Sequence, residues 1–99
     1  MPAYVLVEAE ELDTERALEY RSLAQQSIRR YGGVYRLRGA VPEAVEGTWP
    51  SPSRVTTVVE FPDMARLREW YDSPEYQRAK ALREGAIDVR LLFAEDTGE

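Results

Sequence analysis

Chemistry in this chain has to come from a few polar side chains set on strand-like stretches: Tyr4, Glu8, Arg36, Arg38, Thr56, Glu60 and Arg90. An arginine can hold an anionic or carbonyl oxygen through two parallel N–H bonds while a carboxylate beside it moves a proton. On that pattern Glu60 is the expected base and Arg38 the expected oxyanion stabiliser, with Tyr4, Arg36, Thr56 and Arg90 as substrate-binding groups. Trp49, in a loop, is expected to cover the mouth of the same space. A glutamate in a dry cavity has a pKa that rises from about 4.3 toward 6 or 7, and an adjacent arginine pulls it back down. The same side chains therefore have a structural use, in which Glu60 pairs with Arg36 or Arg38 simply to fix sheet register or dimer geometry. The pairing geometry decides between the two.

Composition removes several other chemistries. There is no cysteine among the 99 residues, hence no disulfide framework, thiolate metal site or cysteine nucleophile. There is no histidine either, which removes the commonest metal ligand, histidine-ligated haem and the usual triads, so neither metal nor cofactor is expected. The net charge is −5, and the thirteen basic residues are scattered, which argues against nucleic acid as a partner. No apolar run approaches the roughly 20 residues that span a bilayer. Met1-Pro2-Ala3-Tyr4 leads directly into a strand-like segment without a basic region and apolar signal core, so the expected location is the cytoplasm.

The elements that must carry these residues follow from periodicity. Arg54 to Phe61 is the clearest strand, with five β-branched residues of eight. Alternation puts Val55, Thr57, Val59 and Phe61 on one face and Thr56, Val58 and Glu60 on the other. Ala3 to Glu10 is a first strand with Val5, Val7 and Ala9 opposite Tyr4, Leu6 and Glu8. Val34 to Arg38 is a short second strand, with Tyr35 and Leu37 on one face and Val34, Arg36 and Arg38 on the other. The stretch 43–47 either extends that strand or forms a small one beyond a bulge. Ala86 to Ala94 is the last strand, and the acidic segment 95–99 a frayed tail.

Between strands lie helices. Asp13 or Thr14 caps the first, whose buried stripe is Ala17, Tyr20, Ala24, Ile28 and Tyr31 and whose end is Gly32-Gly33. Asp63 caps a second, which buries Met64, Leu67, Trp70 and Tyr71. Ser73-Pro74 restarts it, because a proline at the first helical position loses no hydrogen bond. Trp70, Tyr71 and Tyr76 are expected to be packing residues.

The order strand, helix, strand, strand, helix, strand within one domain, residues 1–99, is that of a ferredoxin-like βαββαβ fold, an α+β class with both helical segments on one face of a four-stranded antiparallel sheet. The other face, with Tyr4, Leu6, Val34, Thr56, Val58 and Leu92, is too apolar to leave in water. Pairing with a second copy would bury it and enclose an inter-sheet chamber, so a homodimer is expected.

Tyr31-Gly32-Gly33, Arg38-Gly39, Glu46-Gly47-Thr48-Trp49, Glu60-Phe61-Pro62 and Trp70-Tyr71-Asp72-Ser73-Pro74-Glu75-Tyr76 together resemble the family known as domain of unknown function 1330. The resemblance implies a dimeric α+β barrel. That superfamily includes cofactor-independent monooxygenases, haem-degrading enzymes, muconolactone isomerase-like proteins and polyketide cyclases. The expected function is a dimer binding a small aromatic or carbonyl-bearing molecule between its sheets, with cofactor-free isomerisation or cyclisation if it is an enzyme. A non-catalytic dimeric binding or accessory protein and a cofactor-independent monooxygenase are the alternatives.

Overall fold

The computed structural model describes residues 1–99. Its strands are β1 (Ala3–Glu11), β2 (Val34–Ala40), β3 (Arg54–Phe61) and β4 (Ile87–Glu95), and its helices α1 (Thr14–Arg30), α2 (Met64–Asp72) and α3 (Pro74–Arg83). The strands form one antiparallel sheet in the order β2-β3-β1-β4, which is the ferredoxin-like arrangement. The segment 41–53 contains no strand, so neither extension considered for residues 43–47 is made. No helix is long and apolar enough to cross a membrane.

Each helix begins where a short polar side chain can take up a free backbone N–H. Asp13 accepts from the Arg16 amide and Asp63 from the Arg66 amide. Ser73 does two jobs at the junction of α2 and α3. Its hydroxyl donates to the Trp70 carbonyl at 2.6 Å and accepts from the Tyr76 amide at 3.1 Å, so one buried residue ends one helix and caps the next. Pro74 behind it disfavours helical backbone at position 73 and enforces the break.

All three helices pack on the sheet face that carries Ala3, Val5, Val59 and Phe61, in a single core with Ala24, Ile28, Leu67, Trp70, Tyr76 and Ala79. Trp70 is its centre, with ring centroids 5.3 Å from Phe61 and 4.3 Å from Tyr76. Its indole N–H donates to Ser27 Oγ at 3.0 Å, so no polar atom is left stranded. Burying each such ring contributes roughly 1.5–3 kcal/mol. Gly33 is required at the edge of this core, where a Cβ would lie 2.7 Å from Ile28 Cγ2 and 2.8 Å from Phe61 Cζ.

The opposite face carries no helix. Val34, Leu37 and Leu92 are each 44–47% exposed there, beside half-buried Tyr4, Leu6 and Val58.

One strand departs from simple alternation, and the departure moves a candidate residue. Along β2, Tyr35 pairs with Val59 but Leu37 pairs with Val58, so an extra residue is inserted; a second insertion lies between Leu37 and Ala40. Gly39 closes the second with φ of +63°, a backbone region that favours glycine. The first bulge leaves Arg36 and Leu37 together on the bare face and turns Arg38 to the helix side. The expectation that Arg38 shares a face with Arg36 and Glu60, and Leu37 with Tyr35, is therefore corrected.

Candidate functional site

On the bare face the polar groups form two clusters separated by an apolar belt. At one end Arg36 Nε donates to Glu60 Oε1 at 3.0 Å, with Tyr4 directly across from Glu60 on β1. At the other end Glu8 lies in register between Thr56 on β3 and Arg90 on β4. It accepts from Arg90 and, at 3.4 Å, from Arg54 Nε. Arg54 also reaches Asp88 at 3.3 Å, and Trp49 lies over this cluster, donating its indole N–H to the Arg54 carbonyl at 3.0 Å. The Arg90 hydrogen bond is the main cause that holds the Glu8 carboxyl below the usual carboxylate range; burial opposes it, and Arg54 adds to the lowering.

Tyr4 and Glu8 are four positions apart along β1, on the order of 13 Å, so the two clusters do not meet. Leu6, Val58 and Leu92 fill the interval in register. Glu60 is thus an ion-paired side chain beside an apolar strip. Arg54 and Asp88 belong to this face and were not among the expected site residues, although extending the alternation of β3 and β4 by one step finds both.

On the helix side Arg38 lies at the rim of a different space. A cleft of about 360 Å³ opens between α1 and the sheet. Its walls are Val7, Val55, Ile87 and Val89, with Tyr20 from α1 and Tyr35 from β2. That volume falls within the roughly 300–1,000 Å³ range of small-molecule pockets. Only Arg21, Arg38, Gly39 and Thr57 interrupt its hydrophobic lining. Arg38 Nη2 donates to Gln25 Oε1 at 2.6 Å and its guanidinium stacks 4.2 Å from the centre of the Tyr35 ring, which fixes its planar head at the opening. Burial pushes the Tyr35 phenol above its ordinary pKa, with Arg38 opposing.

A larger depression of about 520 Å³ between α1 and α3 is lined by Arg29, Arg30, Arg78 and Glu75 with only one apolar side chain. It is an open surface groove in which Arg30 already pairs with Glu75 at 2.9 Å. No three acidic side chains converge in a way that could hold a metal ion.

Fold and site together describe a two-layer ferredoxin-like domain with one bare sheet face and one cleft under its first helix. The chain belongs to the family described as domain of unknown function DUF1330, which matches residues 2–97. No curated protein matches it. Among solved structures it is similar to RPA0582, a protein of unknown function from Rhodopseudomonas palustris. The identity is 20% and the TM-score 0.78, over 96% of this chain and 82% of that one. It is also similar to a dimeric ferredoxin-like protein of unknown function from Jannaschia sp. CCS1, at 18% identity and TM-score 0.71, over 97% of this chain and all of that one. A protein from Nitrosomonas europaea proposed to be an antibiotic biosynthesis monooxygenase shares 13% identity and a TM-score of 0.59, over 96% of this chain and 90% of that one. At these identities the likeness is one of fold.

Proposed function

We propose that the chain is a homodimeric binding protein for a small organic molecule, which enters the cleft under α1 of each protomer while the bare sheet face makes the dimer. The observation that carries this reading is the contrast in the cleft lining: apolar walls on all sides, and a fixed but only partly engaged guanidinium, Arg38, at the rim. An apolar body would be buried against the valines and an oxygen of the ligand held by Arg38. The dimer is supported by the exposed apolar strip of Val34, Leu37 and Leu92 and by the dimeric description of the Jannaschia protein.

Binding without proton transfer is the better-supported form of this function. The cleft lining contains no carboxylate, and the chain has no histidine, so no ordinary general base faces a ligand there. Glu60, the expected base, is on the other side of the sheet and bonded to Arg36. An isomerase or cyclase using Glu60 with Arg38 would need two groups that the sheet separates.

Calorimetric titration of the protein with small aromatic ketones and carboxylates tests the assignment. Saturable binding that is lost in Arg38→Met and kept in Glu60→Gln, both still dimeric, is expected. Binding that survives Arg38→Met and disappears in Glu60→Gln would return the site to the space between the sheets.

A further inference from the structure

We propose that the cleft selects an organic anion, an aromatic or alicyclic carboxylate, by means of a one-way chain of hydrogen bonds that starts at Arg83 on α3 and ends at the hydroxyl of Tyr20. The inference rests on the reading of the cleft as the binding site and adds the class of ligand and the residues that enforce it.

The direction of the chain follows from counting protons. A guanidinium only donates, so Arg83 Nη1, 2.7 Å from Tyr76 Oη, gives its hydrogen to that oxygen. Tyr76 is fully buried, and its own single proton must find an acceptor inside the protein. The one acceptor at hydrogen-bonding distance is Tyr20 Oη, 3.0 Å away. Were Tyr20 the donor instead, the Tyr76 proton would be stranded in the core. Tyr76 therefore donates to Tyr20, and the Tyr20 proton is left to point elsewhere. Tyr20 lines the cleft and its hydroxyl has no other partner in the protein, so that proton is free to meet a ligand there.

The other polar groups around the cleft are oriented in the same sense. Thr57 Oγ1 accepts from the Gly39 amide at 3.0 Å, which leaves the threonine hydroxyl proton free to donate. Arg38 has only donors, one of them used on Gln25. Tyr35 is a neutral phenol with its own proton to donate, and burial only pushes its pKa further up. A ligand that takes up these donors brings acceptors, with negative charge to meet Arg38, and a hydrocarbon body for the valine walls. A carboxylate on one or two rings does both. An alcohol offers Arg38 an acceptor without charge, and an amine brings it a like charge.

Tyr76 and Arg83 are positioning residues: neither lines the cleft, and both act through Tyr20. Titrating the intact protein with naphthoate, the matching methyl ketone, the matching methanol and the matching methylamine reads their effect. Naphthoate is expected to bind about tenfold or more tighter than the alcohol, with the amine weakest. Tyr20→Phe should remove most of that preference. Tyr76→Phe and Arg83→Met should shrink the carboxylate-to-alcohol ratio severalfold while leaving alcohol affinity in place, whereas a merely structural role would weaken both alike. A second, ligand-free measurement checks the direction itself. Tyr20→Phe strands the Tyr76 proton, so it should lower the melting temperature more than Tyr76→Phe does, although Tyr76 is the more deeply buried ring, and the double variant should recover part of that loss. Binding with no preference among the four compounds, or the reverse order of melting temperatures, would overturn the inference while leaving the cleft as a binding site. No binding by any of the four would overturn the cleft reading and this inference with it.

Discussion

The arginines on the two faces of the sheet itself use charge in opposite ways, while Arg21 at the cleft pairs with Glu11. On the bare face every arginine near the apolar strip is engaged by a carboxylate: Arg36 by Glu60, Arg90 by Glu8, and Arg54 by Glu8 and Asp88. On the covered face Arg38 meets no carboxylate, resting on an amide oxygen and an aromatic ring, and the nearby hydroxyls have protons to spare. Paired charges bordering an apolar strip are what a buried contact between proteins needs, because each ion enters the contact already neutralised. Unpaired donors inside apolar walls are what a ligand site needs, because the ligand supplies the missing acceptor. On the proposed function, assembly and recognition fall on the two sides of one four-stranded sheet.

The largest effect that could break this division is on the bare face. Leu92→Glu places an unpaired carboxylate in the middle of the strip, next to Leu6 in register, and an uncompensated buried charge costs about 3 kcal/mol or more. Dimer affinity should fall roughly 100-fold or more by sedimentation. Because Leu92 is already 44% exposed in the single chain, the monomer should stay folded by circular dichroism. A variant that remains fully dimeric would show that the strip is not the contact.

Next in size is Arg38→Met, which should weaken binding of naphthoate about tenfold and leave the dimer intact. It separates the faces most cleanly, since the same residue read by alternation alone belongs to the dimer side.

A smaller effect comes with pH. The folded-state pKa of Glu8 is depressed, chiefly by Arg90, so its contribution is present above the ordinary value of 4.5 and is lost as pH falls through the lower folded value. Stability should not respond to Glu8 between pH 8 and pH 6. Below about pH 4.5 the wild type should lose more than Glu8→Gln does, in thermal melts followed across the range. Equal acid sensitivity of the two would mean that the Arg90–Glu8–Arg54 cluster is not formed in solution.

Smallest is Glu60→Gln. The amide oxygen still accepts from Arg36, and half-exposed pairs of this kind contribute less than about 1 kcal/mol, so melting temperature should move little and ligand affinity in the cleft not at all.

Most of the scaffold was legible in the sequence because local chemistry and tertiary packing agree there. Asp13, Asp63 and Ser73-Pro74 mark helix starts where the structure has them, and β1, β3 and β4 keep strict alternation, so their faces follow from residue type. The candidate site was less legible, for one local and one global reason. Locally, the extra residues in β2 break a period of two, and from Leu37 onward a face assignment by parity fails; Gly39, which needs a positive φ, was the one hint of it. Globally, the cleft is a space left between α1 and the sheet, bordered by residues as far apart as Val7 and Val89. Tyr20 sits in the helix stripe as any core residue would, and nothing in its spacing shows that its hydroxyl meets Tyr76 and an opening rather than a neighbour. The chain of protons from Arg83 is a property of three residues on two helices and is invisible before they are brought together.

The most direct test of the division between the faces is a crystal structure of the protein grown with naphthoate. The carboxylate should lie within hydrogen-bonding distance of Arg38 and Tyr20 Oη in each protomer, with the rings against Val7, Val55 and Val89 and the bare faces closed on each other. Naphthoate density between the two sheets, beside Arg36 and Glu60 with an empty cleft under α1, would contradict the account.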